Sequence, residues 1–279
     1  MFSVVTANVN GVRAAIKRGG FEWFKEQNEA GLADVICLQE VRASDEQLRD
    51  VLEEAGMSHF NVAHSASEKK GHAGVAILSL LPLNDVQIGL GPEEFANQGR
   101  WVEATIATAA GPVRVASVYV HTGDHEKPEK QAEKELFLAS MTADFARRMS
   151  EAGPKSHHLI VGDLNVGHTE NDIKNWKGNI GKSGFLESER VHFSEWFNTQ
   201  GWRDLGRDHA GEIPGPYTWW SFRGQAFDND AGWRIDYQVA TPHLAKKLVD
   251  VRVGRADSYA ARWSDHAPVT AVFDTEAKK

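Results

Sequence analysis

Three short apolar runs in this chain each end abruptly at polar side chains: Val4-Val5-Thr6-Ala7 before Asn8, Val35-Ile36-Cys37-Leu38 before Gln39-Glu40, and Leu159-Ile160-Val161 before Gly162-Asp163. Unbroken apolar runs of this length suit strands buried on both faces, and each polar residue is then delivered at the strand's end. Gly74 to Leu78, Val113 to Val120, Ile235 to Ala240 and Pro268 to Phe273 read as further strands of the same core. Helices fall between them. Ser44-Asp45-Glu46-Gln47 has the form of a capping box opening a helix through Glu54, with Gly56 as its stop. Pro128 to Met149 carries Leu136, Phe137, Met141 and Phe145 at helical spacing, with charge on the other face. No Pro/Ser-rich linker interrupts the pattern, so the expectation is one α/β domain over residues 1–279.

Composition narrows the function classes. The 279 residues, 41% hydrophobic and 25% charged, suit an ordinary soluble enzyme with a sizeable core. Cys37 is the one cysteine, which excludes a disulfide framework or a thiolate zinc cluster and fits a reducing cytoplasm. No basic stretch precedes a long apolar one at the amino terminus, and nowhere do ~18 apolar residues run together, so no membrane span is expected. The net charge of -8 argues mildly against a polyanionic partner. A carboxylate metal site would account for some of that charge, and a local stripe of Lys and Arg can still serve DNA.

The residues at strand ends carry the chemistry. Asn8, Asn10, Glu40, Tyr119, Asp163, Asn165, Asp236, Asp265 and His266 all fall there, where open sheets present ligands. Any one alone reads as a turn former. Together they form an oxygen-rich set suited to a hard cation such as Mg²⁺ or Mn²⁺. Residues 4–11 and 159–167 also echo one another as apolar strand, Asn-containing tip and glycine. If two related halves face each other, both tips share one cleft.

Leu38-Gln39-Glu40, Gly162-Asp163-Leu164-Asn165, Arg234-Ile235-Asp236-Tyr237 and Ser264-Asp265-His266-Ala267-Pro268 follow one another in that order across the chain. Together they resemble the signature of the exonuclease III and abasic (AP) endonuclease branch of the endonuclease/exonuclease/phosphatase superfamily. Asn8-Val9-Asn10-Gly11, Tyr119 and Thr218-Trp219-Trp220 are similar to its DNA-repair members. The resemblance implies a DNase I-like four-layer α/β sandwich, with two central mixed β-sheets flanked by helices. It also implies a metal-dependent nuclease of base excision repair, acting as a monomer on double-stranded DNA that is abasic or blocked at its 3′ ends.

Carried over residue by residue, the resemblance makes Tyr119, Asp163, Asn165, Asp236, His266 and Asn8 catalytic. Glu40 holds the metal, with Asn10, Asn8, Asp163, Asn165, Asp265 and His266 near it. Trp219, Trp233 and Ile235 line a slot for a flipped abasic sugar, and Trp220, Arg234, Arg13 and Arg42 join the DNA contacts. Lys69, Lys70, Arg100 and Arg223 sit in or near expected loops as further phosphate candidates. Tyr119-Val120-His121-Thr122-Gly123-Asp124 departs from the family's usual Pro and amide after the tyrosine, which weakens the expected grip on the DNA strand. The competing readings are a superfamily phosphodiesterase or phosphatase with a non-DNA substrate and a catalytically silent binding module.

Overall fold

The apolar runs become the central strands of two facing sheets. The computed structural model describes residues 1–151 and 156–275. The first sheet has the order β11-β12-β1-β2-β4-β3, with β1 Phe2–Asn8, β2 Val35–Gln39, β3 Asn61–Ser65, β4 Val75–Ser79, β11 Leu248–Val253 and β12 Val269–Phe273. The second has the order β5-β6-β7-β8-β10-β9, with β5 Leu83–Ile88, β6 Trp101–Thr108, β7 Gly111–Tyr119, β8 His158–Asp163, β9 Arg203–Asp204 and β10 Asp236–Ala240. β1 runs parallel to β2 and β7 parallel to β8, while the other strand pairs are antiparallel, so both sheets are mixed.

Alternation along each strand explains why the runs are apolar throughout. Val4, Val35, Cys37 and Ile77 face Val113, Val115, Leu159 and Val161 across the space between the sheets. Their neighbours Val5, Ile36, Leu38 and Leu78 face outward onto α2 (Gly20–Glu29) and α3 (Asp45–Glu54), with α1 (Val12–Ile16) at the rim. On the other side Ala116, Val118 and Ile160 receive Phe137, Met141 and Phe145 from α4 (Pro128–Glu151) and Phe193 from α5 (Glu187–Ser194). The four layers are therefore helix, sheet, sheet and helix, and α6 (Leu205–Ala210) and α7 (Pro242–Ala245) are short connectors. Among the described residues no helix is long and apolar enough to cross a membrane.

Local sequence accounts for the element limits. Ser44 accepts the Gln47 amide and Gln47 Oε1 accepts the Ser44 amide, closing the capping box of α3, and Gly56 leaves the helix at φ +70°. Leu136 corrects the expected core face of α4. It is exposed while Phe137, Leu138, Met141 and Phe145 are buried, because those four positions make the stripe that meets the sheet.

Two expected DNA contacts belong instead to the interior. Arg234 is buried, with Nε on Asp172 at 2.7 Å and a two-pronged contact to Asp204 at 3.0 and 2.7 Å. A guanidinium so paired and only 3% exposed is out of reach of a phosphate in the cleft. Burial would raise the Asp172 carboxyl, but Arg234 and Arg207 outweigh it and hold it well below the usual carboxylate range. Trp220 is buried against Phe227, with its indole N–H on Asp230. Arg234→Leu takes the ion-pair partner from buried Asp204 and leaves Asp172 with Arg207, and is expected to cost about 3–5 kcal/mol, read as a fall in the urea midpoint at neutral pH. A midpoint within error of the parent would contradict a structural role.

Candidate active site

At one end of the core the space between the sheets turns polar. Thr6 Oγ1 donates to Gln39 Oε1 at 3.1 Å, and Gln39 Nε2 crosses to Ser117 Oγ on the other sheet at 3.0 Å. Just beyond, β1 ends at Asn8 and β8 at Asp163, and Asn8 Nδ2 donates to Asp163 Oδ2 and to Glu40 Oε1, each at 2.9 Å. The two strand tips are built alike. Asn8 Oδ1 accepts the Asn10 amide as Asp163 Oδ1 accepts the Asn165 amide, both at 3.0 Å. Asn10 at φ +48° and Asn165 at φ +51° make the same left-handed turn, and Glu40 at φ +51° makes a third. Such backbone is uncommon outside glycine and gathers at functional sites.

Asp163, Asp236 and His266 are buried, and one ligand atom from each lies within 4.8 Å of the others. His266 Nδ1 lies 2.9 Å from Asp236 Oδ2, and His266 Nε2 lies 3.7 Å from Asp163 Oδ2. Thr218 Oγ1 donates to Asp236 Oδ2 at 2.6 Å, and Ser264 Oγ accepts the His266 amide at 3.2 Å while donating to the Asn8 carbonyl at 2.7 Å. Burial alone would push the imidazole pKa down, but Asp236 and then Asp163 raise it to about 10. Burial raises Asp163 to about 7, against the pull of His266 and with the push of Asp236. The cluster thus holds a cationic imidazole, paired with Asp236, beside a carboxyl that exchanges its proton near neutrality. Burial, with Glu40 and Asp163 nearby, keeps the Tyr119 phenol protonated.

A second group of oxygens adjoins this one. Glu40 Oε2 pairs with the half-exposed Arg42, Asp265 Oδ1 accepts Asn10 Nδ2 at 2.8 Å, and Asp265 Oδ2 accepts the Trp219 indole at 3.1 Å. The fit to a hard cation is good here, because two carboxylates are met by neutral amides, an indole, the Ser264 hydroxyl and one half-exposed arginine. It is poorer at Asp163, Asp236 and His266, where the imidazolium already balances charge. Asn8 departs from the expected metal set: its Oδ1 takes the Asn10 amide and its Nδ2 bridges two carboxylates, so it acts as a donor.

Glu40, Tyr119, Asp163, Asn165, Asp265 and His266 open into a cavity of about 310 Å³ whose apolar side is Trp219, Trp233 and Ile235. Trp219 and Trp233 meet edge to face, their ring centres 6.1 Å apart. A wider groove of about 930 Å³ runs on from Glu40 and Tyr119 past Arg42, Lys69, Arg100 and Lys130, with Arg100 stacked on Tyr119 at 4.7 Å. Arg13, Lys70 and Arg223 are exposed and line neither space. The unusual segment after Tyr119 is accommodated: His121 packs between Phe95 and Phe137 with Nε2 2.7 Å from Gln98, and Asp124 pairs with Lys127. Ser183 and Gly184 on the cavity wall and Lys134 behind it are features of the site that sequence motifs leave unmarked, while Thr218, marked by its motif, is seen to serve through a hydroxyl on Asp236.

This geometry has close counterparts. A profile of the Endonuclease/Exonuclease/phosphatase family matches residues 5–266. The exodeoxyribonuclease of Bacillus subtilis (strain 168) is 31% identical over 97% of this chain and 99% of its own length. An AP endonuclease structure from Archaeoglobus fulgidus superposes with a TM-score of 0.84 at 28% identity, covering 98% of this chain and 100% of the other. The 3′-5′ exonuclease NExo from Neisseria meningitidis gives 0.81 at 27% identity over 98% and 100%. With the paired strand tips, the buried Asp-His pair and the carboxylates beside them, these matches make the chain a member of the endonuclease/exonuclease/phosphatase family, in its exonuclease III and AP endonuclease branch.

Proposed function

We propose that residues 1–279 act as one catalytic domain that hydrolyses phosphodiester bonds of double-stranded DNA at abasic sites and blocked 3′ ends. The protein works as a monomer in the cytoplasm, with Mg²⁺ or Mn²⁺ as cofactor. The observation that carries this reading is the junction of a buried Asp163, Asp236 and His266 cluster with a cavity walled by Trp219, Trp233 and Ile235. The first is equipment for moving protons beside a phosphate. The second suits a base-free sugar, since a damaged nucleotide costs less to unstack than an intact one.

The residues divide the work. His266, fixed through Nδ1 on Asp236, keeps Nε2 for a phosphate oxygen and meets its growing negative charge. Asp163, with its pKa near 7, takes a proton from the attacking water as the new bond to phosphorus forms and the bond to the 3′ oxygen breaks. Tyr119 donates a hydrogen bond from its phenolic hydroxyl to the phosphate, Asn165 turns toward the phosphate the amide hydrogen it now gives Asp163 Oδ2 at 3.3 Å, and the leaving 3′ oxygen takes its proton from water. Glu40 and Asp265, with Asn10, would hold the metal ion, which when bound shares the phosphate's charge. Arg42, Lys69 and Arg100 serve the flanking strand along the wider groove.

Duplexes carrying an abasic site, a 3′ phosphate, a nick or no lesion, incubated with Mg²⁺, Mn²⁺ or chelator, test the whole reading. Cleavage at abasic sites that stops on chelation is expected. In Glu40→Gln the half-saturating Mg²⁺ concentration should rise and turnover fall with little change in melting temperature. An unaltered titration with unaltered turnover would remove Glu40 from the metal site.

His266→Asn and Asp236→Asn should each slow cleavage by about 10³–10⁴-fold. Because the two act as one unit, the double variant should be scarcely slower than the slower single one, and fully multiplied losses would show that they work apart. Trp233→Ala should narrow the kcat/KM ratio between abasic and intact duplex by about 10- to 100-fold, the worth of one large aromatic surface, at unchanged Mg²⁺ affinity. A ratio equal to the parent's in a folded variant would place the sugar slot elsewhere.

A further inference from the structure

One wall of the cavity is made of Thr122, Asn165, Ser183 and Gly184, none of which belongs to a strand or helix. Behind that wall lies Lys134 of α4, whose side chain is 0% exposed. An ammonium group in such a place is costly unless each of its three protons has a partner. All three do. Nζ donates to the Thr122 carbonyl at 3.1 Å and the Asn165 carbonyl at 2.9 Å, and pairs with Glu189 Oε1 at 2.8 Å.

Glu189, also 0% exposed, carries the connection onward. Its Oε2 accepts the Leu186 amide at 3.1 Å, and its Oε1 accepts Gln131 Nε2 at 2.9 Å. Gln131 Oε1 accepts Ser183 Oγ at 2.7 Å, and the Gly184 carbonyl accepts the Gly167 amide at 2.9 Å. Gly184 in turn abuts Trp233, and a Cβ there would fall 2.8 Å from the indole ring. Three separate loops, at residues 122, 165 and 183–186, therefore hang from one cation.

The geometry points to Lys134 as a positioning residue for the cleavage reaction: by tying the Thr122 and Asn165 carbonyls and the Glu189 carboxylate, it holds the Asn165 side chain and the Gly184 wall where a phosphodiester must sit. The inference rests on the reading of this cavity as the cleavage site. It differs from a merely stabilising buried ion pair in that Lys134 acts on turnover through Asn165.

Lys134→Met, Asn165→Ala and their combination are compared on abasic duplex with Mg²⁺, with thermal unfolding measured alongside. Lys134→Met should lower kcat about 10- to 100-fold, the cost of a small misplacement, with KM within about threefold of the parent. In the Asn165→Ala background the further loss in kcat should shrink below about threefold, since the effect runs through that side chain, while the loss in melting temperature persists. Losses in kcat that multiply in full, or a loss no larger than the unfolded fraction, would overturn the proposal. Amide hydrogen exchange needs no substrate and separates this inference from the function itself. Lys134→Met should speed exchange about tenfold or more at residues 165–167 and 183–186 while β1 stays protected, and a uniform change would overturn it even if the parent protein cut no DNA. Should Lys134→Met not fold, Lys134→Met with Glu189→Gln removes the lone buried charge, and the same kcat loss and exchange pattern are expected.

Discussion

The bond from Asn8 Nδ2 to Asp163 Oδ2 joins residues 155 apart in sequence, and the site depends on it. Asn8 ends the central strand of one sheet and Asp163 that of the other, so the bond fixes how the two sheets meet at their polar end. The same nitrogen reaches Glu40, which brings the Glu40 side and the Asp163 side of the cleft into one frame. A carboxylate in place of Asn8 would put like charges against Glu40 and Asp163. A hydrocarbon would leave both without a donor. An amide is the side chain that can satisfy two carboxylates while remaining neutral.

Charge balance explains why so many acids can lie together. Among the described residues the Asp236 carboxylate has the imidazole and the Thr218 hydroxyl for hydrogen-bond partners, so His266 is the cation that meets it. That pairing holds the imidazole cationic, and the cation in turn restrains the rise of Asp163. The cluster can therefore offer both a donor to phosphate and an acceptor for water's proton at one pH, which a lone buried carboxylate could not. The overall charge of -8 says little about this, because Asp163 and Asp236 are met locally by His266.

The sequence made the central strands and the strand-end residues legible because both follow from short-range rules. A strand buried on both faces must be apolar throughout, and its polar terminus stands out against that run. The same signal marked the echo between residues 4–11 and 159–167, which appears in space as matching turns at Asn10 and Asn165. Strands with exposed faces carried no such mark. β5, for example, is mostly exposed and alternates poorly. Arg234 and Trp220 misled for a related reason, since proximity to Asp236 in sequence says nothing about which face of the sheet a side chain meets. Arg234 precedes Asp236 by two residues, yet its charge is consumed by Asp172 and Asp204 from distant segments. Lys134 escapes notice because of its residue type: it stands three residues before Phe137, four before Leu138 and seven before Met141, on the buried stripe, but a lysine in a charged helix reads as a solvated side chain.

The segment after Tyr119 shows how a departure from a familiar pattern can be accommodated by packing. Where a proline would stiffen the backbone by its ring, His121 is wedged between Phe95 and Phe137, and burial lowers its pKa to about 3, so it stays neutral there. Rigidity comes from packing in place of covalent constraint. The next residue, Thr122, contributes to the cavity through its position on the wall, while its carbonyl is the group that Lys134 grips. A backbone carbonyl is present whatever the side chain, so this tie survives substitutions that would remove a side-chain contact. The carboxylate of Asp124 is turned to Lys127 at 3.0 Å, which offsets the repulsion it would exert on a nearby phosphate. In this chain the path beside Tyr119 is held by His121 packed between two phenyl rings and by the Thr122 carbonyl on Lys134.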